Sequence, residues 1–183
     1  AIKIIKDHSK KWKITYAGDW HPELDTLLND YSSIFGKEPQ INEVAKRAAS
    51  HRTSTFYVCC TPPKPNNFVF SPPVESRWIG WYTYAHGYDG FLRWAYDTWP
   101  ADVVHDARNI HWNGGAGDCY MVYPGGNSSI RFEKMREGIV DFEKIKILKA
   151  RTAKSSDPQI IKLLEELQQH LQTYFFFHKL LLV

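Results

Sequence analysis

Asp89-Gly90-Phe91-Leu92-Arg93-Trp94-Ala95-Tyr96-Asp97-Thr98-Trp99 decides how this chain is read. Its first residues have the composition of a buried strand opened by a glycine. Its last residues bring Trp94, Tyr96, Asp97 and Trp99 together at the end of that strand. Exposed aromatic faces beside a carboxylate suit a sugar ring, whose apolar face stacks on the π-system while the carboxylate accepts its hydroxyls. The same residues also suit an aromatic core strand.

Outward from this stretch, strand-like and helix-like patterns alternate. Residues 12–17, 30–35 and 53–60 are β-rich runs stopped by Gly18, Gly36 and Thr61-Pro62-Pro63. Residues 89–96 and 118–123 predict two further strands. His21-Pro22-Glu23 opens a short helix. Residues 41–51 predict a helix with Ile41, Val44, Ala45 and Ala48 on one face. Residues 74–86 predict an aromatic helix closed by Gly87, in which Trp78, Trp81 and Tyr84 are expected in the core. Ser129 caps a long helix with a stripe of Phe132, Met135, Ile139, Phe142 and Ile145. Asp157-Pro158 starts a last amphipathic helix with Ile160, Leu163, Leu164, Leu167 and Leu171 inward. Residues 64–73 and 98–117 are loops, and the first residues are charged and strand-like.

This alternation argues an α/β fold with a parallel sheet and crossover helices. A doubly wound sheet or a piece of a (β/α)₈ barrel fits. About four βα units are present, and a full barrel takes roughly 250 residues. The expected organisation is half a barrel over residues 1–154, then a C-terminal helix and apolar tail over 155–183.

Composition narrows the function classes. The chain has 183 residues, 15% aromatic, with 23 basic and 20 acidic side chains and a net charge of +3. That balance lacks a nucleic-acid signature. The apolar tail 174–183 is too short to span a bilayer, so no membrane partner is expected, and it reads as a packed terminal segment. The start at Ala1 reads as a boundary or cleavage point. Cys59, Cys60 and Cys119 form no metal-binding spacing. Neighbours on a strand point to opposite faces, so Cys59 and Cys60 are not expected to bridge each other. No phosphate loop, dinucleotide fingerprint or nucleophile elbow is present, so no cofactor or metal is expected.

In both α/β architectures the site lies at the C-terminal ends of the strands. That rule selects Asp19, Trp20 and His21; Thr61, Pro65, Asn66 and Asn67; Glu75 and Arg77; Tyr96, Asp97 and Trp99; and Asp118 and Tyr123. Each has a structural alternative. Asp19 and Asp97 suit turn caps, and Glu75 and Arg77 suit ion pairs with each other or with neighbours. Arg131, Glu133, Arg136 and Glu137 read as a solvated helix face. His8, His105, His111 and His170 carry no special chemistry. Glycoside hydrolysis needs two acid groups, or one acid assisted by the substrate's acetamido group. No adjacent acidic pair stands at a strand end; Glu165-Glu166, the consecutive acidic pair, falls in the last helix.

Pro65-Asn66, Glu75-Ser76-Arg77-Trp78, DGFLRWAYDTWP (residues 89–100), GDCYMVYPGG (117–126) and SSIRFEKMREGIVDFEKI (128–145) follow one another in order. Together, over residues 12–148, they resemble the C-terminal part of glycoside hydrolase family 123. The resemblance implies a (β/α)₈ barrel acting on β-linked N-acetylgalactosamine by a substrate-assisted, retaining mechanism. An adjacent Asp-Glu pair at an earlier strand end does the chemistry there, Glu as general acid and Asp orienting the acetamido group. This sequence lacks that pair, which is therefore expected upstream of Ala1. No catalytic residue carries over, and the chain alone is expected to be inactive. Sugar contacts are expected at Glu75, Arg77, Trp94, Asp97, Trp99, Asp118 and Tyr123. The resemblance makes a periplasmic or extracellular setting plausible. A non-catalytic carbohydrate-binding or structural domain is the alternative. Open barrel edges would favour a homodimer.

Overall fold

The β-branched and aromatic run Thr53–Tyr57 forms β3, a central strand of the sheet. It pairs in parallel with β2 (Asp30–Ile34), which pairs in turn with β1 (Thr15–Gly18). On its other side lies β4 (Gly90–Phe91), giving a four-stranded parallel sheet in the order β1-β2-β3-β4. The computed structural model of the chain describes residues 2–108 and 115–180, the side chains of 172–180 excepted. His111 and the side chains of the apolar tail lie outside the described residues.

Parallel neighbours need crossovers. A 3-10 turn at Pro22–Leu27 joins β1 to β2, α2 (Ile41–Ala49) joins β2 to β3, and α3 (Pro73–Ala85) joins β3 to β4. The Ser33↔Phe56 register places Tyr31, Ser33, Ser54 and Phe56 on one face of the sheet. Phe56 meets Val44, Trp78, Ile79, Tyr82 and Tyr88 there, in the main core. The opposite face carries Asp30, Ser32 and Ile34 beside Thr53, Thr55 and Tyr57. Burial raises the Asp30 pKa above the ordinary carboxylate value, partly opposed by Arg47. The result is a mixed α/β fold with an open parallel sheet.

Several elements differ from expectation. The N-terminus is a helix, α1 (Ile2–His8), not a strand. It buries no side chain and is tied down by Lys6 Nζ, which donates to Asn29 Oδ1 at 3.0 Å. In α2 only Val44 of the expected face is buried, and Arg47 replaces the rest; Ile41 is 59% exposed. Arg47 can be buried because its guanidinium finds five acceptors, Ser54 Oγ, Asp25 O and Oδ1, Leu28 O and Thr53 O.

The strand expected over residues 89–96 shrinks to β4. Its neighbour β3 turns away after Tyr57, so the chain beyond Phe91 has little ladder left to pair with. Residues 118–123 form turns, not a strand. Gly117 adopts φ +88°, and residues 117–121 are buried in succession, without alternation. What sheet pairing remains there is antiparallel, between Asp97 and Tyr120 and between Tyr123 and Asn127.

Ser129 Oγ accepts from Phe132 N at 3.1 Å and caps α4 (Ile130–Thr152), as expected. The buried side of α4 is centred on Arg131 and Gly138, however, and Ile139 is 55% exposed. Two glycines, Gly80 on α3 and Gly138 on α4, meet at the crossing, and Phe132, Met135, Phe142 and Ile145 of the expected stripe are half-buried around it, with Phe142 edge-on to Tyr84 of α3. In α5 (Pro158–Leu180), Leu171 is buried while Leu163 points outward.

The α3–α4 contact also carries charge. Asp141 Oδ2 accepts from Arg77 Nε at 2.7 Å and from Trp81 Nε1 at 2.8 Å. Burial pushes the Asp141 pKa up, but these two donors outweigh it and the net shift is downward from 3.8. A depressed carboxylate stabilises the fold above its unfolded pKa, and the benefit fades as pH falls through the folded value. Asp141→Asn should therefore lower the urea midpoint at pH 7 and leave it nearly unchanged well below the ordinary carboxylate range. An equal loss at both pH values would contradict this.

Candidate functional site

The chain leaves β3 at Val58 and turns at once, with Cys59 N donating to Thr61 O at 3.2 Å. The Pro65-Asn66-Asn67 motif pins that turn. Asn66 Nδ2 donates to Cys59 O at 2.7 Å and to Pro62 O at 2.6 Å. Glu75 Oε2, in the first turn of α3, accepts from Asn66 N at 2.8 Å, and Ser76 Oγ accepts from Asn67 Nδ2 at 2.8 Å. Asn66, Asn67 and Glu75 are all buried. Glu75 thus braces the loop from beneath. Arg77, two residues on and across the helix from the brace, faces the outer α3–α4 groove with Glu137 at 3.6 Å and Asp141 at 2.7 Å.

Beside the turn, Arg93 closes the strand ends. Its Nη1 donates to Val58 O at 3.2 Å and its Nη2 to Gly117 O at 3.2 Å, with further bonds to the carbonyl and carboxylate of Asp118. Asp118 is fully buried, and its Oδ1 also accepts from Trp94 Nε1 at 3.3 Å. Burial lowers the Arg93 pKa, an effect that Asp118 opposes. Arg131 reaches the same spot from α4, donating to Asn67 O and to Gly117 O and lying over the Tyr120 ring at 5.3 Å.

On this base stand the aromatics. Trp94 is 39% exposed and Trp99 38%, and Trp99 Nε1 donates to Val122 O at 2.7 Å. Asp97 is exposed on the strip between them, whose backbone pairs with residues 119–121 through Thr98 N to Cys119 O and Met121 N to Tyr96 O. Tyr123 packs edge-on against Tyr120 at 5.6 Å. The structure therefore brings Trp94, Asp97, Trp99, Asp118 and Tyr123 onto two paired segments, 93–99 and 117–123. Glu75 lies under that surface and Arg77 away from it. Each indole is anchored by its N–H and leaves part of its ring uncovered, an arrangement that can stack a flat apolar ligand face and offer Asp97 to its hydroxyls.

At the end of β1, Asp19, Trp20 and His21 are organised by Tyr31. Its hydroxyl donates to Asp19 O and accepts from His21 N at 2.6 Å, and its ring lies 4.7 Å from Trp20. Burial pushes the Tyr31 pKa up to about 12, so the hydroxyl keeps its proton. Asp19 pairs with Lys37 at 2.8 Å. Among the described residues no group of three or more His, Cys, Asp or Glu could hold a metal ion. No helix among them is long and apolar enough to cross a membrane.

Sequence reasoning missed Arg93 and took Arg131 for a solvated residue. Arg93 had a signal, a lone charge inside the apolar run GFLRWA. Arg131 had none, because its partners are carbonyls at 67 and 117, remote in sequence.

A search of curated proteins finds no match. Among solved structures, a family 123 glycoside hydrolase from Clostridium perfringens, analysed for glycolipid glycan hydrolysis, superposes with a TM-score of 0.74 at 24% identity. The match covers 94% of this chain and 31% of the other, so the chain spans about a third of that enzyme's length. The family model for the glycoside hydrolase 123 catalytic domain matches residues 1–148. Over most of its length, then, this chain belongs to glycoside hydrolase family 123.

Proposed function

We propose that this chain is the glycan-holding part of a retaining glycoside hydrolase that acts on β-linked N-acetylgalactosamine with assistance from the substrate's acetamido group. Family membership supports glycoside hydrolysis. The observation that carries the sugar-holding role is the pair of indoles, Trp94 and Trp99, anchored by their N–H groups with their rings partly uncovered beside Asp97. Asp118 orients Trp94, and Tyr123 extends the surface. Glu75 contributes by bracing the loop beneath. Arg77, in its outer groove, is the weakest of the proposed contacts. The acid and the acetamido-orienting carboxylate come from an Asp-Glu pair outside these 183 residues.

The test is turnover of an aryl N-acetyl-β-galactosaminide. A protein extended upstream through an Asp-Glu pair should cleave it, and this chain alone should not. In the extended protein, Trp94→Ala should raise KM about tenfold, since an aromatic contact contributes about 0.5–1.5 kcal/mol beyond its area. Turnover by this chain, lost on Asp97→Ala or Asp118→Ala, would refute the placement of the acid. A second reading, a non-catalytic carbohydrate-binding domain, is favoured by the lack of an adjacent acidic pair at the strand ends. It predicts saturable sugar binding by this chain with no hydrolysis in any longer form.

Among the described residues, the outer edges of β1 and β4 have no partner strand. Unpaired edges recruit strands, and a two-fold pairing of copies would cover them. Light scattering at high concentration should then report a dimer for this chain by itself.

A further inference from the structure

At the end of β3 two cysteines stand side by side in an arrangement that a strand would forbid. Adjacent side chains on a strand point to opposite faces, but β3 ends at Tyr57 and the chain turns before Cys59. Cys59 Sγ and Cys60 Sγ are 3.7 Å apart. The turn is held from three sides: Cys59 N donates to Thr61 O, Asn66 Nδ2 donates to Cys59 O, and Glu75 fixes Asn66. Cys60 is exposed and Cys59 half-buried, whereas Cys119 is buried.

We propose that Cys59 and Cys60 form a vicinal dithiol that closes to a disulfide when the folded protein meets a small-molecule disulfide, making the edge of the Trp94 surface redox-sensitive. A protein disulfide is about 2.05 Å long, and side-chain rotation with a small adjustment of the turn closes the remaining gap. The pair lies beside the proposed glycan surface. Val58, just before it, accepts from Arg93, which holds Asp118 and through it Trp94. Burial is the largest cause of a raised Cys60 pKa, followed by Cys59, and the charge of Asp118 adds to it.

Oxidised glutathione balances the step. The Cys60 thiol loses its proton, and its thiolate attacks one sulfur of oxidised glutathione and expels a glutathione thiolate. Cys59 then loses its proton and displaces the second glutathione, forming the Cys59–Cys60 bond. Two protein thiols lose two electrons, oxidised glutathione gains them, and the two protons end on the two released glutathiones. Adjacent Cα atoms are about 3.8 Å apart, closer than in most disulfides, so the bond should be readily reversed by dithiothreitol.

The experiment treats the folded chain with oxidised glutathione, traps thiols with an alkylating agent and maps peptides without reduction. The expected result is a loss of two hydrogens on the peptide holding both cysteines, with no covalent link between chains and with Cys119 alkylated only after unfolding. In Cys59→Ser a glutathione adduct should persist on Cys60. A lasting adduct on Cys60 of the unsubstituted chain, a disulfide between chains, or no reaction where the unfolded chain does react would overturn the proposal. Oxidation should also change tryptophan emission by an amount that disappears in Trp94→Phe. The same change in both proteins would overturn the placement at the Trp94 edge. None of these readouts depends on sugar binding, so the dithiol can fail while the glycoside reading stands, and the reverse.

Discussion

Arg47→Met is expected to lower the unfolding free energy by about 3–5 kcal/mol, the usual cost of breaking a buried ion pair from one side. Arg47 has no exposed surface, and methionine matches much of its stem but none of its donors. The substitution strips hydrogen bonds from the Thr53 and Leu28 carbonyls and from Ser54 Oγ, and it leaves Asp25 to Arg52 alone. These acceptors lie at the bottom of the sheet, where α2 meets the starts of β2 and β3, so the loss should be global and should speed unfolding throughout. Lys46→Met, one residue away, removes an exposed pair with Glu43 and should change stability by less than about 1 kcal/mol. Urea unfolding of both variants checks the contrast. Equal effects would mean that the buried network contributes no more than a surface pair.

Gly138→Ala should cost about 3 kcal/mol, at the upper end of overpacking penalties. A Cβ at Gly138 would lie 2.3 Å from Arg77 O, and a Cβ at Gly80 would lie 2.0 Å from Gly138 O. Both obstacles are backbone atoms, so no side-chain rotation relieves the clash, and α3 and α4 must move apart. Helix propensity pulls the other way, since alanine is better than glycine by about 1 kcal/mol in a helix interior, but the steric term is larger. The consequence reaches the site. α4 carries Arg131, which holds the carbonyls of Asn67 and Gly117, while α3 carries Glu75, which holds Asn66. A destabilised Gly138→Ala should therefore also loosen the turn at 59–67 and the Trp94 segment, visible as faster amide exchange there. Gly90→Ala is the control, because a Cβ there meets only Thr55 Cγ2 at an ordinary 3.8 Å. A melting temperature unchanged by Gly138→Ala would refute the close crossing.

Local chemistry made much of the molecule readable from its letters. The TSTFY run, the Pro and Gly stops and the Ser129 cap depend on neighbours a few residues away, and β1, β2, β3, α2, α3, α4 and α5 all follow at close to the expected places. Alternation of these elements then implies the parallel sheet, because parallel strands need crossovers. The aromatic cluster from Trp94 to Trp99 was equally visible, as was the order of motifs that marks the family. What only the tertiary structure decided are the features whose partners lie far along the chain. Arg47 and Arg131 look like surface residues until carbonyls from other segments surround them. β4 stops after Phe91 because β3 turns away, and Gly80 and Gly138 close the α3–α4 crossing by touching each other across 58 residues of sequence. Asp118 orients Trp94 from 24 residues away, and Cys60 meets Cys59 because Asn66 and Glu75 fold the turn beneath them. Burying a charge, closing a glycine contact and aligning two thiols all depend on three-dimensional neighbours, and no periodicity in a single sequence encodes those.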